Sequence, residues 1–208
     1  MTKVREKQPG MLVVDRAVYG KNQNYLTPEN RVPSEALPYP WESCIIAGGG
    51  WAWVPDPKFM SGREAVHLLV DIVVKGGNLL LNIGPAPNGT WPEEAYSLLD
   101  DMGRWMKVNS EAIYGTRAMA PYKDGKVCIN SKGDNLMYLF YMADEGEKMP
   151  SAITMSGLTL PAGARVSVLG TGATCRWKNG SDSFTVTVPQ QVRRDPPSDH
   201  VWVMKIEK

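Results

Sequence analysis

The chain has little histidine, little cysteine and no long apolar run. His67 and His200 stand far apart, and so do Cys44, Cys128 and Cys175. Zinc and iron sites need such ligands at short, fixed spacings, so no metal site is expected. Three scattered cysteines give no disulfide framework and read as buried free thiols. His67 falls in an apolar helical run and reads as structural. Lys and Arg total 23 against 22 Asp and Glu, a net charge of +1. That balance offers no basic footprint for nucleic acid or an acidic membrane surface. No window approaches the roughly 18 apolar residues of a membrane-spanning helix. Residues 1–7 have no apolar core and do not read as a signal peptide. Gly48-Gly49-Gly50 lacks the Lys-Ser/Thr of a phosphate loop. No internal repeat or low-complexity tract is evident.

The chain is organised around residues 76–115. Asn78–Ile83 is a short apolar run bounded by glycines, the pattern of a buried strand in a parallel sheet. Gly84, Pro85, Pro87 and Gly89 break it. Thr90-Trp91-Pro92-Glu93 has the spacing of a capping box and opens a helix. Leu98, Leu99, Met102, Trp105 and Met106 recur along it at helical spacing.

Earlier segments repeat the alternation. Residues 2–8 read as a helix end stopped by Pro9-Gly10, and Met11–Val14 as a short buried strand. Residues 17–40 form a long polar loop, and Trp41–Ile46 is a further strand. Ser61-Gly62-Arg63-Glu64 is a second capping box, opening a helix to about Val74 with Ala65, Leu68, Leu69, Ile72 and Val73 as its stripe. Strand and helix therefore alternate to about residue 108, as in a parallel α/β layer. After Pro121 the period becomes two. Strands are predicted at 126–130, 135–142, 151–155, 165–169, 174–178, 183–188 and 201–206, with Gly, Pro and Asn-Gly breakers between them. Short alternating strands with regular turns predict a β-sandwich. The junction 116–124 is short and not Gly/Ser-rich, so the two parts are expected to pack rigidly.

Three segments resemble glycoside hydrolase family 29, the α-L-fucosidases. They are Gly76-Gly77-Asn78-Leu79-Leu80-Leu81-Asn82-Ile83-Gly84-Pro85, then Gly103-Arg104-Trp105-Met106-Lys107-Val108-Asn109, then Glu111-Ala112-Ile113-Tyr114-Gly115-Thr116. The resemblance implies a fold of class α/β plus all-β: residues 1–120 as the C-terminal portion of a (β/α)8-like barrel, and residues 121–208 as a C-terminal antiparallel β-sandwich. A complete barrel needs about 250 residues, and about three barrel strands are legible. The expectation is therefore the C-terminal portion of a longer enzyme, with an open inner barrel face.

The resemblance also implies a retaining hydrolase of terminal α-L-fucosyl linkages, acting on fucosylated glycans without metal or organic cofactor. Retaining glycosidases need two carboxyl groups about 5–5.5 Å apart. The family's nucleophilic aspartate lies in a Trp-x-Asp-Gly motif that these residues lack, so the chain alone is expected to be inactive. Glu29, in Tyr25-Leu26-Thr27-Pro28-Glu29, resembles the family's acid/base segment and is the first candidate for that role. Glu42, in Trp41-Glu42, is the second; its bland reading is a structural glutamate under the site. Arg16 resembles a sugar-contacting arginine, and the plain alternative is a surface pair with Asp15. Trp51 falls where the family places an aromatic beside the fucose methyl group, and Trp53 would serve a neighbouring subsite. Glycines and prolines flank both, which suits a ligand-facing loop more than a core. A non-catalytic carbohydrate-binding or scaffolding module is the rival reading. Linkage preference, compartment and oligomeric state are not legible.

Overall fold

The computed structural model describes residues 2–14 and 22–208. A parallel pair of strands, β1 (Trp41–Ile46) and β2 (Gly77–Asn82), lies against two helices, α2 (Gly62–Val74) and α3 (Glu93–Asn109). A short helix, α1 (Thr2–Lys7), precedes them. A 3-10 turn at Ser110–Ala112 leads into eight antiparallel strands. These are β3 (Arg117–Asp124), β4 (Val127–Lys132), β5 (Leu136–Met142), β6 (Ala152–Ser156), β7 (Arg165–Val168), β8 (Thr174–Asn179), β9 (Ser183–Thr187) and β10 (Val201–Glu207). Their order in the sheet is β3-β4-β5-β10-β7-β8-β9-β6, and a one-turn helix, α4 (Gln190–Arg194), precedes β10.

The helices form a middle layer. On one side Ile72, Leu68 and Ala65 of α2 and Leu98 of α3 meet Trp41, Ile45, Leu79 and Leu81 of the parallel pair. On the other, Val66, Val70, Val73 and Trp105 meet Cys128, Tyr138, Phe140, Val201 and Val203 of the large sheet. Helix α2 thus carries apolar side chains towards both sheets, as a helix between two sheets must. The sequence stripe named only part of its buried surface; Val66, Val70 and Val74 are buried as well. Burying a Val or Leu side chain contributes about 1.5–3 kcal/mol, so this shared core ties the layers together.

The eight-stranded sheet curls around a second core that includes Ile129, Leu139, Met155, Phe184, Val186 and Met204. Its two edge strands approach each other: the Ser156 N–H at the end of β6 donates to the Asp124 carboxylate of β3 at 3.1 Å. The sheet is therefore nearly closed. Strand β8 serves both halves, pairing with β7 at Thr174–Cys175 and with β9 at Arg176–Asn179.

Three expectations differ from the structure. Met11–Val14 is no strand: only Val14 pairs, with Tyr25, and Leu12 is 71% exposed. The Met11 N–H is held by Gln8, which keeps the turn wound up to that point. Thr90 caps no helix, because its hydroxyl donates to Asn88 Oδ1 at 2.8 Å; helix α3 starts after Pro92. The junction 116–124 contains β3, with Pro121 tolerated in a register shift between Ala118 and Lys123.

Candidate active site

The parallel strands set the frame. Side chains alternate along β1, so Trp41, Ser43 and Ile45 are buried against the helices while Glu42, Cys44 and Ile46 take the opposite face. Register pairs those three with Asn78, Leu80 and Asn82. On this open face Leu80 is 50% exposed, the one large exposed apolar side chain among those six.

Glu29 is exposed and sits on a turn fixed to the flank of β1. The buried Ser43 hydroxyl contacts the Pro28 carbonyl at 2.7 Å and the Arg31 carbonyl at 2.6 Å. Asn30 donates its N–H to the Cys44 carbonyl at 2.9 Å, and its side-chain oxygen accepts from the Ile46 N–H at 3.3 Å. Asn30 has φ 50, a left-handed conformation that asparagine adopts more readily than most residues. Glu29 is therefore level with the C-terminal half of β1.

Glu42 is half-buried and is the second residue of β1; its N–H donates to the Leu26 carbonyl at 3.0 Å. It precedes Ile46 by four positions, about 13 Å of strand. Glu42 is thus near the opposite end of β1 from the loop that carries Trp51.

That loop leaves the C-terminal end of β1. Its base is closed by the Ala47 carbonyl, which accepts from the Met60 N–H at 2.9 Å, and by a bridge between Gly48 and Phe59. Trp51 is 44% exposed and Trp53 41%. From β2, Asn82 Nδ2 donates to the Trp51 carbonyl at 3.1 Å and reaches the Gly50 carbonyl at 3.4 Å. Gly84 lies directly beneath: a Cβ there would fall 2.6 Å from the Ala52 carbonyl carbon and the Trp53 nitrogen. Arg16 lies outside the described residues.

Glu29, Trp51 and Trp53 are thus gathered around the C-terminal end of β1, and Glu42 is set apart. Ser43, Asn30, Asn82 and Gly84, which build this end, were given no site role from the sequence. The legible signal was a polar residue and a glycine closing the apolar run Leu79-Leu80-Leu81. Two clefts lie elsewhere. One of about 870 Å³ is lined by Tyr39, Leu79, Met106 and Tyr114; one of about 810 Å³ is lined by Arg63, Glu147, Arg193 and His200. None of Glu29, Glu42, Trp51 and Trp53 lines either. Among the described residues no group of three His, Cys, Asp or Glu side chains could hold a metal ion, and no helix is long and apolar enough to cross a membrane.

Residues 1–111 match the family model described as Alpha-L-fucosidase. The plasma alpha-L-fucosidase of Rattus norvegicus is 30% identical over 200 residues, 89% of this chain and 42% of that protein. The Homo sapiens plasma alpha-L-fucosidase is 29% identical over 84% of this chain and 39% of its own length. The solved alpha-L-fucosidase isoenzyme 1 of Paenibacillus thiaminolyticus superposes with a TM-score of 0.80 at 26% identity, covering 99% of this chain and 52% of that one. A Thermotoga maritima alpha-fucosidase, solved with a mechanism-based inhibitor, gives the same score and identity, covering 99% of this chain and 47% of that one. The chain spans about two-fifths of the length of these curated relatives.

Proposed function

We propose that this chain, which belongs to the α-L-fucosidase family, glycoside hydrolase family 29, forms part of a retaining exo-α-L-fucosidase that hydrolyses terminal α-L-fucosyl linkages of glycans. The observation that carries the reading is the gathering of Glu29, Trp51 and Trp53 at the C-terminal end of a parallel strand. Chemistry in (β/α)8 barrels is placed at that end. In this reading residues 1–120 are the C-terminal portion of the barrel and residues 121–208 a β-sandwich.

Glu29 takes the acid/base role: its carboxyl protonates the leaving glycosidic oxygen, then its carboxylate activates water. Glu42 is the second candidate. Arg16 offers a planar donor fork to the sugar oxygens, while Trp51 and Trp53 cover the sugar's C–H surface. The nucleophile is assigned to no aspartate of these residues, because none stands in a Trp-x-Asp-Gly motif. The binding-module rival draws no support from the aromatics of residues 121–208. Tyr138, Phe140, Phe184 and Trp202 are buried, and Tyr122, Tyr141 and Trp177 are half-buried.

The test follows an aryl α-L-fucoside by NMR with two proteins: the 208 residues alone, and the same residues extended N-terminally by strands bearing the nucleophile. Turnover is expected only from the extended protein, with the α-anomer of fucose formed first. Inversion, or turnover by the 208 residues alone, overturns the reading.

A further inference from the structure

We propose that the cleft of about 810 Å³ where α2 meets the α4–β10 connection is an oxyanion-binding site that takes the sulfate or carboxylate group of an acidic sugar. The oxyanion part rests on geometry alone; the sugar part rests on the fucosidase reading.

Three segments of this chain wall the cleft: the first turn of α2, the β5–β6 connection and the α4–β10 connection. They converge on one carbonyl. The His200 oxygen accepts from the Ala143 N–H at 2.9 Å and stands 3.2 Å from His67 Nε2 of α2. Ser198 is held in turn, its carbonyl accepting from the Trp202 indole N–H at 2.8 Å. On the β5–β6 side, the Glu147 carboxylate accepts from the Asp144 N–H at 2.8 Å and from Lys126 and Tyr141. The walls are therefore fixed before any ligand arrives, as a selective site requires.

The charges around it are unevenly matched. Arg63 of α2, Arg193 and Arg194 of α4, and Lys148 line this space, and none of their side chains makes an ion pair with a described residue. The acidic lining is largely spoken for: Asp144 and Glu147 pair with Lys126, and Asp101 with Arg104. The exposed Glu145 and Asp199 are left against four cations. Arg193 is the most telling of the four. It is half-buried, and its Nε–H is shut off from solvent without an acceptor. An unpaired buried donor on a charged group is among the costlier features a fold carries. An oxyanion laid against the guanidinium edge supplies the acceptor and offsets the crowded like charges. Guanidinium forks fit the paired oxygens of a sulfate or carboxylate, which a point charge does not. The volume lies within the roughly 300–1,000 Å³ of small-molecule sites, leaving room for a sugar behind the oxyanion.

The experiment uses the ¹⁵N-labelled 208-residue chain, which contains every residue lining the cleft, and reads the Arg193 Nε–H signal by NMR. Galactose 6-sulfate, galacturonate, galactose and inorganic sulfate are titrated in turn. An acidic sugar is expected to move that signal and the Arg63 amide, and to bind at least about tenfold more tightly than galactose, the worth of one charged hydrogen bond. Binding of the sulfated sugar alone assigns the site to sulfate, of galacturonate alone to carboxylate, and of both to the oxyanion they share. Arg193→Gln and Arg63→Gln are each expected to weaken that binding about tenfold. Arg193→Lys should weaken it nearly as much, because an ammonium does not replace the planar fork. Arg165, 78% exposed on β7, stands away from the cleft, so Arg165→Gln removes the same charge and should change nothing. Unchanged amide resonances from the eight-stranded sheet verify the fold, and variants in two different layers keep the test open should one fail to fold. Binding of neither acidic sugar overturns the proposal. So does binding that survives both Arg193→Gln and Arg63→Gln. Inorganic sulfate binding as tightly as galactose 6-sulfate marks an adventitious ion only and also overturns it. The titration measures no turnover, so failure of the fucosidase reading shows separately, in the aryl fucoside assay, and leaves the oxyanion site standing.

Discussion

Trp105 of α3 donates its indole N–H to the Val201 carbonyl of β10 at 2.8 Å. The bond crosses from the helical layer to the large sheet through the core that both share. The same carbonyl is met by the Ser198 hydroxyl at 3.2 Å, and Asn109, one turn along α3, donates to Ser198 at 3.3 Å. The helical layer on which the parallel strands pack is thereby anchored to the sheet by packing and by hydrogen bonds. The strain-bearing His200, with φ 68, sits at this junction, where its carbonyl accepts from Ala143 at 2.9 Å and faces His67 Nε2 at 3.2 Å.

Trp105→Phe is expected to cost about 1–3 kcal/mol, combining a lost hydrogen bond with a small void. Because the core is shared, both layers should still unfold together. Urea titration followed by amide signals from α2 and from β5 checks this. Separate midpoints for the two layers would show that the shared core does not couple them.

Two glycines on facing helices should respond with opposite signs. A Cβ on Gly62 would fall 2.3 Å from Asp101 Cβ, whereas one on Gly103 meets nothing within 4 Å. Gly62→Ala forces α2 from α3 and is expected to destabilise by about 1–3 kcal/mol. Gly103→Ala removes unfolded-state freedom within a helix and is expected to stabilise by about 0.4–1 kcal/mol. Thermal melts report about 2–4 °C per kcal/mol for a chain of this size.

Glu147 governs part of the acid limb of stability. Hydrogen bonds from Lys126 at 2.7 Å and Tyr141 at 2.6 Å hold its carboxyl down at about 2. A folded value below the unfolded one, about 4.3, means the stabilisation is complete above that unfolded value. It is lost as pH falls from there through about 2. Glu147→Gln should therefore be less stable than the parent at pH 7, with the difference closing towards pH 2. Glu111, lowered first by its hydrogen bond from Lys205, acts in the same direction. The effect is accordingly read as the difference between parent and variant across urea titrations at several pH values. A difference independent of pH would sink the assignment.

What the sequence disclosed follows from where the signal was local. Trp41–Ile46 has the predicted bounds because breakers flank it, Pro40 on one side and Gly48-Gly49-Gly50 just beyond the other. The Ser61–Glu64 capping box forms as read, with both reciprocal hydrogen bonds present. Thr90 has the same spacing and fails, because a nearer acceptor, Asn88, takes its hydroxyl. Strand β3 was hidden by Pro121, whose acceptance depends on a register shift made with β4. The closing of the eight-stranded sheet was not legible either, since it depends on contacts such as Ser156–Asp124, made 32 residues apart. At the site, residue types could be named but not the scaffold: Ser43 binding two carbonyls, and Asn82 binding the Trp51 loop, are tertiary facts.

The acid/base assignment is decided in the protein that carries the nucleophile. If Glu29 protonates the leaving oxygen, Glu29→Ala should damage substrates with poor leaving groups most, because they need the proton. Activated aryl fucosides depend on it less when the fucosyl-enzyme forms. They still need it when water attacks, since the same carboxylate then acts as base. Azide attacks without a general base and should restore turnover of the activated substrate, releasing fucosyl azide. General acid–base help is worth about 10²–10⁴-fold, wide enough to separate a catalytic group from a neighbour. Glu42→Ala is the counterpart. Its position at the start of β1 leads us to expect a smaller loss, without azide rescue or leaving-group dependence. Rescue that follows Glu42 instead would move the proton to the other end of the strand. It would also separate the chemistry from the tryptophan loop, because Asn82 holds that loop at the end where Glu29, not Glu42, is found.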